Sequence, residues 1–379
     1  MKNIFCNVFL ILTIILLSFR FIWPGVICAL LYLIYYLSYN KVTNYSLMIC
    51  VAGVIFYLLF SLLAINNYEL GAIKFISLAT IFCVTNILFF ILGQDYNKKY
   101  KYLLLWGWCN LIYVVTVSLY SFSQGYLGYA DIYDFYAREH VNSPQFAMLI
   151  LISTVFIIEF SDIGRNRKYL LIFTLILISC IYLQSRAALV IVIGYVFFKL
   201  ISQLGIFKTI LLILLFSFLG HAFINVILTQ LDFGITERIL NRGLESSRYK
   251  LLTFGFQHIS DFPFGGLKAI NAGSTYNGVW FHNIYLDITR LAGYYFMFIW
   301  VVFQIAIFLL SLILYRTNAS LAKKCITIYL ILFVIYFQDL SFDGFYNIMA
   351  YLFIVFGIFI RGLDDARRTK LSYSCNSNP

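Results

Sequence analysis

Long, uninterrupted apolar stretches run through most of this chain, and they constrain its fold more than any other feature. They fall at approximately 4–19, 21–39, 45–65, 72–93, 102–122, 144–160, 169–184, 187–204, 209–228, 291–314, 326–337 and 345–361. One helical crossing of a bilayer needs about 20 apolar residues. Strands of a membrane barrel alternate in polarity over about 10 residues, so continuous stretches exclude a barrel. Composition agrees: 62% of the 379 residues are hydrophobic and 11% are charged. Soluble domains carry about 25% charged residues, and a chain of this length has too little interior to hide so much apolar surface. The sequence therefore predicts an all-α polytopic membrane protein with about twelve transmembrane helices.

Charge gives the spans a direction. The net charge of +11 sits mostly in short connections between apolar stretches, the pattern of a positive-inside bias and not of nucleic-acid binding. Lys98, Lys99 and Lys101, then Arg165, Arg167 and Lys168, then Lys199 and Lys208, then Arg316, Lys323 and Lys324 fall on one side of a twelve-span chain. The tail with Arg361, Arg367, Arg368 and Lys370 joins them, as do Lys2 and Lys41. That side is the cytoplasm, so both termini are cytoplasmic. The first stretch lacks a small-residue cleavage site and reads as a retained span. The organisation is then helices 1–9 over residues 1–228, a long outer loop over 229–290, helices 10–12 over 291–361 and a tail over 362–379. The opposite face receives the loop at 123–143, a tight turn at Ser185-Arg186 and the 229–290 segment. The eight cysteines are scattered singly and read as small apolar packing residues.

Arginine on the outer face runs against the insertion bias. Arg186 either snorkels to the lipid phosphates or faces an anion. Ser247 is a good N-cap before an apolar-periodic stretch, which puts Arg248 in the first turn of a helix. A cation there opposes the helix dipole unless an anion such as phosphate sits between them; otherwise Arg248 is a solvated surface residue. His282, in Trp280-Phe281-His282-Asn283, could accept a proton near neutral pH or simply sit among interfacial aromatics. It precedes an amphipathic stretch with Asp287 and Arg290. The four histidines have no ligand-like spacing, so no metal site is indicated.

Four local patterns, in order, resemble the O-antigen ligase and O-antigen polymerase superfamily of bacterial envelope glycosyltransferases. Asn142-Ser143-Pro144-Gln145-Phe146-Ala147, with Arg138 shortly before it, resembles the family's Asn-Pro-Asn-type entry to a middle span. Gln184-Ser185-Arg186-Ala187-Ala188-Leu189 is similar to its Ser/Thr-Arg-Ala-x-Leu turn. Ser247-Arg248 with the following helix and Phe262-Pro263-Phe264-Gly265-Gly266-Leu267 resembles its Arg…Pro-x-x-Gly-x-Gly pattern, and His282-Asn283 with Gly293 its His-Asn-x9-Gly-x-x-Gly motif. The family's second glycine falls at Phe296 here. The resemblance covers roughly residues 138–296 together with the twelve-span topology.

What the resemblance implies is a GT-C-like membrane enzyme of the bacterial inner membrane, working without cofactor or metal at the periplasmic face. Its substrate would be an oligosaccharide on undecaprenyl pyrophosphate, among membrane lipids and in company with a chain-length regulator protein. Arg186 and Arg248 would stabilise the departing pyrophosphate. His282 would act as general base with help from Asn283, and Ser185, Arg138 and Arg290 would support the site. Phe296 and the short outer segment favour a polymerase over a ligase that transfers chains to lipid A–core. A lipid-linked-sugar flippase is the alternative from another class; it would show ionisable residues at mid-span and repeated halves. Glu159 and Lys74 lie instead near span ends.

Overall fold

The computed structural model describes residues 2–39, 43–69, 71–126, 128, 132–141, 143–204, 247–269, 280–338 and 346–376. In chain order the elements are α1 (Lys2–Ser18), α2 (Ile22–Tyr39), α3 (Asn44–Ala64), α4 (Ala72–Gln94), α5 (Tyr96–Ser123), β1 (Ile132–Asp134), β2 (Glu139–Val141), α6 (Ser143–Phe160), α7 (Arg165–Leu175), α8 (Arg186–Leu204), α9 (Ser247–Gln257), α10 (Ile284–Ala292), α11 (Tyr294–Thr317), α12 (Ala319–Gln338) and α13 (Tyr346–Asn376). By length and composition, eight helices among the described residues can cross a membrane: α2 to α6 and α11 to α13. This is an α-helical, multi-pass membrane protein.

Three more helices occupy apolar stretches seen in the sequence. The apolar part of α1 is short, Phe5–Ser18. Helix α7 runs on as a π-helical segment, Ile176–Tyr182, before the turn into α8. The stretch at 209–228 lies outside the described residues. The segment at 326–337 looks short in sequence because lysines interrupt its hydropathy, but α12 begins at Ala319 and takes Lys323 and Lys324 into its early turns. Lys324 Nζ lies 6.0 Å from the ring centroid of Phe160, which gives the ammonium an aromatic face.

The chain divides into two compact units. The first comprises Met1–Val114, Ile152–Ile163 and Ser247–Pro379. At its centre α4 lies along α13. They approach closely because Gly93 and Gly357 carry no side chain: a Cβ on Gly93 would overlap the Ile354 carbonyl, and one on Gly357 the Phe90 carbonyl. Apolar lipid gives helices little reason to associate, so small-residue contacts and buried hydrogen bonds do this work. Asn347 Nδ2 donates to Asn110 Oδ1 at 2.9 Å, and Tyr351 Oη donates to Ser153 Oγ at 2.9 Å. Helix α13 is thereby tied to α5 and α6. Helices α11, α12 and α13 pack on one another, and α10 rests against α3, α11 and α12.

The second unit comprises Val115–Leu151 and Gly164–Ser246. Here the loop expected at 123–143 contains an antiparallel hairpin, with Ile132 opposite Val141 and Asp134 opposite Glu139. Its three-residue strands are held by local polar bonds. Ser121 Oγ both accepts from Tyr133 N and donates to Tyr133 O, at 3.1 Å each. The buried Asp134 carboxylate accepts from Tyr136 N at 3.0 Å and Ala137 N at 3.3 Å, closing the turn.

Candidate active site

His282 and Asn283 stand at the head of α10, and each has a distinct backbone role. Asn283 is extended (φ −149°) and caps the helix: its Oδ1 accepts from Tyr285 N at 3.0 Å and Leu286 N at 3.2 Å. Its Nδ2 donates to the Phe337 carbonyl of α12 at 2.8 Å. One amide side chain thus starts α10 and fastens that start to a neighbouring helix. His282 has φ 55°, the left-handed region that non-glycine residues enter at a cost of about 1 kcal/mol or more. It is 6% exposed. On its other side Phe281 N donates to Asp287 Oδ1 at 3.0 Å. The histidine is therefore bracketed by two side-chain-to-backbone clamps, both supplied by α10.

The sequence predicts an amphipathic α10 at the end of an outer loop. Every residue from Ile284 to Ala292 is instead buried. The polar face survives burial because its charges are paired. Arg290, 1% exposed, bonds through Nη1 to the Glu69 carboxylate in the turn after α3, and its Nε lies 3.5 Å from Asp287 Oδ1. Burial pushes the Tyr285 phenol well above its ordinary range, with Tyr329 as a second cause, so Tyr285 stays protonated.

The glycine pattern singled out in sequence has a physical reason. Gly293 (φ 94°, ψ 173°) joins α10 to α11, and a Cβ there would overlap the Pro263 carbonyl. Gly265 (φ 100°) brings its Cα so close to α10 that a Cβ would lie 2.6 Å from the Leu291 oxygen. Two backbone bonds seal the approach, Tyr294 N to Phe262 O at 2.9 Å and Gly266 N to Arg290 O at 2.8 Å. Asn67 adds a bond from Nδ2 to Leu291 O at 2.9 Å. The Phe262–Gly266 turn and the α10–α11 joint are thus two halves of one docked structure. Phe296, where the resembled motif has glycine, packs from α11 against α3, with ring centroids 5.4 Å from Phe56 and 5.7 Å from Phe60.

Helix α9 leads into that turn. Its Leu251 joins Leu267, Ala269, Phe281 and Leu286 in a small buried cluster, and a Cβ on Gly255 would lie 2.5 Å from Leu286 Cδ1. Arg248 is the second residue of α9, in its first turn as expected, one turn before Leu251. His258 and Asp261 form an exposed pair at 3.1 Å just beyond α9.

The remaining expected residues belong to the second unit. Ser185 caps α8, its Oγ accepting from Ala188 N at 3.2 Å, and Arg186 is the first residue of the helix. Gln184 before them has φ 50°, which turns the chain sharply out of the π-helical segment. Arg138 has φ 57° and closes the β1–β2 turn, an exposed position. Within the first unit the structure brings together His282, Asn283, Arg290 and the helix that carries Arg248. It adds Glu69, which no motif in the sequence marks. Glu69 is a lone acidic residue beside Asn67 at the end of an apolar span, and that position was the available signal. No family model matches the chain, and a search of curated proteins finds no match either.

Proposed function

We propose that this chain is a membrane glycosyltransferase of the O-antigen polymerase type. It joins oligosaccharide repeat units carried on undecaprenyl pyrophosphate at the periplasmic face of the inner membrane. The reading includes twelve spans in a GT-C-like arrangement with cytoplasmic termini. In the reaction, the acceptor sugar hydroxyl attacks the donor's anomeric carbon and the carbon–oxygen bond to pyrophosphate breaks on the opposite side, inverting the centre. His282 takes the hydroxyl proton, Asn283 holds the histidine in place, and Arg186 and Arg248 meet the charge growing on the pyrophosphate.

One observation carries the reading. Two sequence patterns separated in the chain, Phe262–Gly266 and His282–Gly293, meet at one end of α10 through glycines that admit no side chain, and His282 is clamped at the other end of the same helix. A second supports it: Arg186 and Arg248 both stand in first helical turns, where a cation gains stability from a bound anion.

The test is the polysaccharide profile of a strain lacking the gene, complemented with wild type, His282→Ala or Arg186→Ala. Long chains should return with wild type and not with either variant at equal expression. A strain left with single repeat units on core identifies a polymerase, whereas bare core with stranded lipid-linked polymer identifies a ligase. Wild-type chain length in both variants would refute the assignment.

A further inference from the structure

We propose that Glu69 is a positioning residue for His282, acting through Arg290 and Asp287; the inference rests on His282 being the general base. The left-handed backbone at His282 persists only while its neighbours hold it. Asn283 holds the following side by capping α10. On the preceding side the bond from Phe281 N to Asp287 Oδ1 fixes the chain as it enters the turn. That clamp depends on Asp287 Oδ1 being oriented towards the backbone.

Asp287 is fully buried, so its carboxylate needs a compensating cation, and Arg290 one helical turn later supplies it. The same cation threatens the clamp. A guanidinium left to itself closes on a carboxylate in a two-pronged pair, which would take Asp287 Oδ1 away from Phe281 N. The observed separation of 3.5 Å from Arg290 Nε to Asp287 Oδ1 is loose, while Phe281 N keeps the same oxygen at 3.0 Å. Glu69 bonds Arg290 Nη1 from outside the helix and draws the guanidinium away from Asp287. Glu69 lies in the turn after α3, which Asn67 also ties to the Leu291 carbonyl. The anchor that keeps Arg290 from collapsing onto Asp287 therefore belongs to a different part of the chain. Glu69 is also the most exposed member of the set: its side chain is 33% exposed, against 1% for Arg290 and 0% for Asp287.

The experiment compares wild type, Glu69→Gln, Glu69→Asp and His282→Ala, purified and reconstituted with a lipid-linked repeat unit as substrate. Glu69→Gln keeps the shape of the side chain and removes its charge. Its kcat per folded molecule should fall about ten- to hundredfold, the cost of misplacing a catalytic group by about 1 Å, with KM within about twofold of wild type, in addition to the lowered unfolding temperature that loss of Arg290's charge partner brings. A merely structural contact would move the unfolding temperature and leave kcat per folded molecule intact. Glu69→Asp keeps the charge at shorter reach and should recover part of the lost kcat, which preserves the test if the glutamine variant misfolds. If His282→Ala is inactive while Glu69→Gln retains wild-type kcat, this proposal is overturned and the base assignment stands. If His282→Ala retains wild-type kcat, the base assignment fails and the proposal falls with it.

Discussion

Replacing Gly293 by alanine tests the docking that holds the site together. The backbone at 293 (φ 94°, ψ 173°) lies in a region essentially reserved for glycine; occupying it with a side chain costs about 1–3 kcal/mol. The added Cβ would also overlap the Pro263 carbonyl, and relief requires the Phe262–Gly266 turn to move away. That movement breaks or stretches the bonds from Tyr294 N to Phe262 O and from Gly266 N to Arg290 O. Each contributes about 1 kcal/mol. The sum is about 3–5 kcal/mol, a large share of the stability of an ordinary domain. Because Arg290 lies within the docked structure, His282 should lose its setting as well. Gly293→Ala should therefore lower the thermal unfolding midpoint in detergent by several degrees and abolish long-chain product. Gly53, in the middle of α3, is the control: a Cβ there meets nothing within 4 Å. Gly53→Ala should leave product unchanged and should not lower the unfolding midpoint, since alanine is the better helix former. Equal unfolding temperatures and equal product for Gly293→Ala and wild type would refute the close approach of the two segments.

Asn283→Ala removes both the cap of α10 and the tie to Phe337, so it should cost about 2 kcal/mol, read as a lowered unfolding midpoint together with reduced product. Phe296→Gly introduces the glycine of the resembled motif but empties the space beside Phe56 and Phe60. It should destabilise by about 3 kcal/mol on the same unfolding measurement and yield no ligase activity.

Eight of the expected spans were legible because a bilayer imposes length and polarity at once, and eight helices among the described residues meet both demands. The sites of glycine were legible too. Gly265 and Gly293 stand out in the sequence through the resembled motifs, and both have positive φ. Other features depend on pairings between distant residues, which a local pattern does not carry. The polar face of α10 reads as a surface face because Asp287 and Arg290 are charged; it is buried because Glu69, far back in the chain, supplies a partner. The β1–β2 hairpin has strands of three residues, too short to show alternation, and depends on Ser121 and Asp134 to hold it. The start of α12 was hidden by Lys323 and Lys324, whose charges mimic a loop. For the candidate site, His282 could be singled out from the residue itself, and Asn283 only through the resemblance. The clamp from Asp287 to Phe281 N could not, because a side chain that accepts from the backbone six residues earlier leaves no periodic trace.

The proposed activity is the formation of glycosidic bonds between lipid-linked repeat units. The most direct measurement is to reconstitute the purified protein in vesicles with an undecaprenyl-pyrophosphate-linked repeat unit and separate the products by length. Wild type should yield chains of two or more repeats and release undecaprenyl pyrophosphate in proportion, while His282→Ala yields neither. Repeat units that stay single with wild type, with no pyrophosphate carrier released, would contradict the account.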